Sequence, residues 1–416
     1  MTQLLLNRAF ARFWFAGLFF LLATWALHAV MLIYVFETTG SPFATGLIPV
    51  FASIPGIVLG PIAGVFVDRW NRKRVMSGSS LLLAGLLLLA VPFAGDLEAP
   101  ALFAIILVQA MVMTFFSPAE NALLPTLVGP DDLAAANSRN SLNDSLARIA
   151  GPAIGAWFFV QFGFSATLAV TAVLYLAGWL VLAGLRYEDQ HQALQKMPAN
   201  MGQIVHSIFH QLKAGVDAVR LYRPLLIAVL VYALFMVSDV PLSAVLPAFM
   251  IDSVGASPEL FGSLMSVRGV TGLVGSLLVV MLSRRVHEAH LLVGGLVLHG
   301  ASVLAFGISN NILGSVLILF PIGPAAAAIQ TGLFTMLQKG SAPAMRGRVF
   351  ALVGTINGIV TILASLGAGS LGELTSTRTV VILSGCLYIL PLMVLISWLR
   401  TSRVGGAVYN QRSAGG

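Results

Sequence analysis

The chain has 416 residues, of which 58% are hydrophobic and only 9% charged, with a formal net charge of +7. With a mean hydropathy of +0.92, it has too little polar surface to cover a soluble globule of this length. This composition excludes a soluble enzyme or nucleic-acid-binding domain and identifies a membrane protein. The lone cysteine, Cys386, gives neither a disulfide framework nor a CxxC site. No metal-ligand spacing, Gly-rich phosphate loop or Ser/His/Asp set occurs, so no metal, no cofactor and no enzymatic activity is expected.

Apolar runs of roughly 20 residues, the length that crosses about 30 Å of hydrocarbon as a helix, recur along the chain. Twelve are expected, with cores at 14–36, 44–67, 75–93, 101–120, 145–162, 165–185, 224–250, 259–282, 291–308, 311–337, 349–371 and 379–399. None alternates polar and apolar as a barrel strand would. The expectation is an all-α membrane protein. Twenty of the 23 Lys and Arg residues fall on the side that holds both termini. By the positive-inside rule, both ends then lie in the cytoplasm and the protein is a multi-pass protein of the cytoplasmic membrane.

Span one carries Trp25 and His28, which stand either as packing groups or as cavity-lining groups for cargo. Span two ends in GPIAGVFVDRWNRKRVM, residues 60–76. Gly56, Gly60 and Gly64 recur every four residues and give that span a smooth face on which another helix can slide. Asp68, Arg69, Arg72, Lys73 and Arg74 follow at the membrane exit. The basic residues set topology, and Asp68 with the glycines reads as a gate element.

Span four holds Gln109 at mid-depth and Glu120 near its end; Glu120 reads as a gate or topology element. Asp144 and Arg148 follow at i,i+4 spacing. Span five contains IAGPAIGAW, in which Gly151 and Gly155 offer close approach, Pro152 is expected to bend the helix, and Trp157 is a further cavity candidate. Together with Gly269, Gly272 and Ser276 of span eight, these small residues are expected to build the interface between the halves.

The longest polar segment, Arg186 to Arg223, separates six spans from six. The organisation expected is a half at 1–186, a cytoplasmic linker at 187–221 and a half at 222–416. Ile204, Ile208, Leu212, Val216 and Val219 fall at helical spacing in the linker, which reads as an amphipathic helix on the membrane face. In span seven Asp239 lies 11 residues before Met250, and in span eight Arg268 lies 9 residues after Glu259. At helical rise the two sit at matching depths of about 16 and 14 Å. A lone charge there costs roughly 3 kcal/mol or more, so the two are expected to pair or to share a water-filled cavity. Such a pair either fixes packing permanently or exchanges partners with a proton and cargo.

The exit of span eight, GSLLVVMLSRR, repeats the glycine and basic pattern of span two without its Asp. Two six-helix pseudo-symmetric halves with a repeated loop suit a transporter that rocks one half against the other. The run Gly64, Asp68, Arg69, Arg72, Lys73, Arg74 resembles the signature between helices 2 and 3 of the major facilitator superfamily, with Asn71 where Gly is usual. IAGPAIGAW resembles the drug-exporter signature of helix 5. FFSPAENALLPTLVGPDDLAAAN and GLFTMLQKGSAPAMRGRVFALVG are similar to segments of macrolide-efflux and enterobactin-exporter type proteins.

The resemblance implies the major facilitator fold and export of a small amphipathic or apolar molecule by a monomer. It also implies contact of Asp68 with the span that begins at Arg346 and Arg348. Where many proton-coupled exporters have an Arg in helix 4, this chain has Gln109. Proton antiport by that family mechanism therefore does not carry over, and protons remain one possible coupling ion. Lipid transport and a non-transporting receptor stand as alternatives.

Overall fold

The computed structural model describes residues 7–67, 69–186, 213–283, 285–341 and 345–413, and these are almost entirely helical. Ten helices among them are long and apolar enough to cross a membrane. Counting the two arms of one long helix separately, and two short helices as one crossing, brings the ten to the expected twelve.

The helices are α1 (Arg8–Thr39), α2 (Pro42–Val58), α3 (Gly60–Val67), α4 (Arg72–Ala90), α5 (Ala99–Leu127) and α6 (Leu133–Ala183). The series continues with α7 (Arg223–Ala248), α8 (Pro258–Leu282), α9 (Glu288–Ile308), α10 (Ile312–Gly340), α11 (Arg346–Leu374), α12 (Thr377–Leu387) and α13 (Ile389–Ser413). Side-chain caps set several of the starts. Asn7 accepts from Ala9 and Phe10, Ser41 from Ala44 and Asn71 from Arg74, satisfying amides that have no partner inside the helix.

Four spans differ from the expected separate, continuous helices. The second breaks at Leu59 into α2 and α3. Pro61 has no N–H to give the Ile57 carbonyl, and the chain instead tightens through Ile62 N to Leu59 O at 2.9 Å. The twelfth breaks at Tyr388, three residues before Pro391, where the missing N–H leaves the Leu387 carbonyl without its helical donor. The fifth and sixth run on as the single element α6, turned at Gly163, whose φ of 80° and ψ of −179° only glycine adopts readily. The bend expected at Pro152 is absent from the backbone angles; the departure from helical geometry is at Gly163. α6 also begins well before residue 145, because the polar stretch after Leu133 continues the same helix.

By contact, the chain divides into two compact units. The first comprises Met1–Val205 with Ala244–Gly269, and the second His206–Ser243 with Val270–Gly416. The first is built on α1 lying against α6, and Phe20 of α1 also stacks on Phe116 of α5 at 3.6 Å between ring centroids. In the second, α9 packs on α10 and α12. Of the amphipathic linker, residues 187–212 lie outside the described residues and residues 213–221 are helical.

Candidate functional site

In the second unit α9 and α12 approach closely because glycines line their contact. A Cβ at Gly300 would lie 2.6 Å from Tyr388 Cβ, one at Gly385 2.7 Å from the Leu304 backbone, and one at Gly307 2.9 Å from Ile382. Small residues at these positions let two membrane helices meet at backbone distance. That approach sets the Tyr388 ring on His299, stacked at 5.1 Å with 16° between planes. Phe235 of α7 closes on both rings edge-on.

Asp239 of α7 is the charge these rings surround. The Tyr388 hydroxyl donates to Asp239 Oδ1 at 2.8 Å, and His299 Nε2 lies 3.3 Å from the same oxygen. The imidazole is only 1% exposed. Nε2 is within ion-pair distance of the carboxylate but not in hydrogen-bond alignment, and Nδ1 is buried without a hydrogen-bond partner. Asp239 is partly buried, and the phenol that donates to it together with the imidazole beside it makes a polar cluster inside otherwise apolar spans, the kind of place where membrane proteins carry function.

Sequence reasoning missed His299 and Tyr388. The signal was available for His299, since an ionisable side chain inside an apolar span is a functional candidate by default. Tyr388 has no such signal, because only the break before Pro391 and the glycines of α9 direct it. Arg268 is half-buried on α8 and falls in the first unit by contact.

The first-half candidates separate into two groups. Gln109 is only 5% exposed, and its amide nitrogen donates to the Tyr175 hydroxyl at 3.2 Å and to the Thr24 carbonyl at 3.4 Å. Thr24 Oγ1 completes the network at 3.1 Å from Tyr175. This places Gln109 in a satisfied buried network that ties α1, α5 and α6 together. Trp25 and His28 stand edge to face at 6.0 Å, and the Arg148 guanidinium lies 5.0 Å over the Trp25 ring. Arg148 in turn pairs with Asp144 at 2.7 Å. Trp157 is 53% exposed, among Phe158 and Phe162.

Gly151 and Gly155 pack inside the first unit, which corrects the expected interface between the halves. Their Cβ positions would lie 2.7 Å from Trp25 Cβ and 2.6 Å from the Ala26 carbonyl oxygen, so they seat α6 on α1. The Cβ position at Gly269 of α8 would lie 2.8 Å from Ile149 Cγ1 and 3.2 Å from the Arg148 carbonyl oxygen, so this glycine of span eight does meet span five on α6. Pro152 follows Gly151 within the unbroken helix.

The gate candidates are only partly on view. Asp68 lies outside the described residues. Gly64 is within α3, and a Cβ at Gly56 or Gly60 meets no described atom within 4 Å. Arg72 donates to the Ala122 carbonyl at 3.1 Å, and Lys73 to the Ala183 and Leu185 carbonyls at 3.1 and 2.6 Å. These cations cap helix ends, where the dipole favours them. Arg69 follows α3 in a turn, and Arg346 and Arg348 are exposed at the start of α11. A groove of about 470 Å³ between α7 and α13, lined by Arg223, Ile227, Met393 and Trp398 among others, contains none of the expected site residues.

Residues 3–405 match the family of transmembrane secretion effectors. The chain is 25% identical to macrolide efflux protein A of Streptococcus pyogenes over 358 residues, 83% of this chain and 86% of that protein. It is also 25% identical to the multidrug efflux pump Tap of Mycolicibacterium fortuitum, over 82% of this chain and 83% of that protein. Among solved structures, the nucleoside transporter NupG superposes with a TM-score of 0.73 at 14% identity, covering 94% of this chain and 99% of that one. A bacterial homologue of the iron transporter ferroportin gives 0.72 at 16% identity, covering 94% and 98%. The fold, the family match and these relatives agree: the chain belongs to the transmembrane secretion effectors of the major facilitator superfamily.

Proposed function

We propose that this transporter exports an amphipathic or apolar small molecule across the cytoplasmic membrane by alternating access, working as a monomer with both termini in the cytoplasm. The cargoes for which the efflux relatives are named, a macrolide in one and multiple drugs in the other, support the cargo class. The observation that carries the coupling is Asp239, whose Oδ1 receives Tyr388 and faces His299 inside an apolar helix. A proton entering from outside neutralises the carboxylate; on its release to the cytoplasm the anion turns to a cationic partner, for which Arg268 at matching depth is the candidate. Cargo moves outward on the stroke that this exchange drives.

Asp68 at the exit of α3 and the Arg346/Arg348 pair at the start of α11 form the cytoplasmic latch in this scheme. Two exposed arginines at a helix N-terminus oppose the helix dipole unless an anion joins them, and Asp68 supplies one.

The test is transport of a radiolabelled macrolide into inverted vesicles with an imposed pH gradient, beside a thermal-shift panel of macrolides, siderophores and lysolipids. Accumulation that collapses with the gradient supports proton-coupled export. Stabilisation by lysolipids alone would replace the drug cargo with a lipid. A bound ligand at 100 times its dissociation constant adds about 2.7 kcal/mol of apparent stability, well within reach of the assay.

A further inference from the structure

A buried carboxyl lies in the first unit, far along the chain from Asp239 and unused by the scheme above. Glu120, near the end of α5, is only 7% exposed. It faces α1 at Gly17, whose Cβ position would lie 2.8 Å from Glu120 Oε1 and 3.4 Å from Asn143 Nδ2. The glycine thus leaves room for the carboxyl and the amide beneath α1. Asn140, one turn before Asp144 on α6, hydrogen-bonds the same carboxyl group.

The donors and acceptors of this cluster do not balance for an ionised Glu120. Glu120 Oε1, Asn140 Oδ1 and Asn143 Oδ1 are all buried, and none has a hydrogen-bond partner. The orientation of Asn143 is not free to change, because its Nδ2 donates to the Trp14 carbonyl at 2.8 Å and a carbonyl only accepts. Flipping the amide to bring a donor to Glu120 would leave two acceptors facing each other. Asn140 supplies the carboxyl with one donor, but Glu120 Oε1 has none, and an anionic oxygen buried without a donor is expensive. One proton on Oε1 removes that uncompensated charge.

We propose that Glu120 is a protonation site of the first half, the proton bound at Oε1 in the space that Gly17 leaves beneath α1. The reaction is carboxylate plus proton giving carboxylic acid, with no other change. Its loss places an unbalanced anion under α1 at Gly17 and weakens the seating of α1 on α5 and α6. The charges around it have their own partners. Asp144 is paired with Arg148, Arg12 with the Gly184 carbonyl, Arg72 with the Ala122 carbonyl and Lys73 with the Ala183 and Leu185 carbonyls. The Arg139 carbonyl accepts from Trp14 Nε1 at 2.9 Å. Neither α2 nor α3 contains a titratable side chain.

The experiment is infrared difference spectroscopy of the purified full chain in lipid nanodiscs, stepped in pH, for the wild type, Glu120→Gln and Asp239→Asn. The inference goes beyond the transport reading, and this readout needs no cargo, so each can fail without the other. A carboxylic-acid carbonyl band that titrates in the wild type and in Asp239→Asn is expected to vanish in Glu120→Gln. Gln is isosteric and uncharged, so that variant keeps its fold. A Glu120→Asp variant, which retains the acid at a shifted depth, is expected to move the band rather than remove it. Identical difference spectra for the wild type and Glu120→Gln would overturn the assignment. So would a band whose titration moves when sodium replaces choline, which would make the cluster a metal-cation site.

Discussion

Tyr388 donates to Asp239 at 2.8 Å across 149 residues of sequence, while the same ring stacks on His299. One side chain therefore both orients the imidazole and stabilises the carboxylate that faces it. Removing the hydroxyl separates those two roles. Tyr388→Phe is expected to keep the stack and the fold, to lose a hydrogen bond to a charged group of about 1.5–3 kcal/mol, and to slow pH-driven transport. Initial rates of wild type and variant in the same vesicles check this, and an unchanged rate would separate Asp239 from coupling.

Asp239 and Arg268 give a second test. If they form a fixed packing pair, neutralising one strands the other, and neutralising both restores expression and transport. The coupling reading expects Asp239→Asn with Arg268→Gln to recover folded protein yet lose pH-driven uptake. Full pH-driven uptake in the double variant assigns the pair to packing. His299→Gln in that background reports whether the imidazole carries residual coupling.

Glycine substitutions should divide according to what they meet. Gly155→Ala places a methyl 2.6 Å from the Ala26 carbonyl oxygen and is expected to cost about 1–3 kcal/mol through forced separation of α1 and α6. Gly56→Ala meets no described atom within 4 Å and is expected to stabilise by about 0.4–1 kcal/mol through reduced unfolded-state entropy. Thermal unfolding in detergent compares the two. Equal effects would contradict the packing described for α1 and α6.

Asp68→Asn removes the proposed latch without changing the basic residues that set topology. Normal insertion with slowed cycling is the expected outcome, read as amount of folded protein against initial transport rate. Wild-type rates in reconstituted vesicles would remove Asp68 from the gate.

The spans, their number and the all-helical class were determined by the sequence alone. The reason is local: in hydrocarbon each backbone amide must be satisfied within its own segment, so roughly 20 apolar residues specify a helix whatever its neighbours. The prolines that break the second and twelfth spans, Pro61 and Pro391, were legible in the same way, though their consequence was not drawn from the sequence. What the tertiary structure decided is which polar groups meet. Gln109 looks like a cavity residue from its depth, yet Tyr175 and Thr24 consume its amide. Gly151 and Gly155 announce a close approach without naming the helix that makes it, and that helix is α1. Helical periodicity places a side chain on a face, but only the glycine contacts of α9 with α12, remote in sequence, bring His299 and Tyr388 to Asp239, and only the space left by Gly17 lets Glu120 and Asn143 share one buried site.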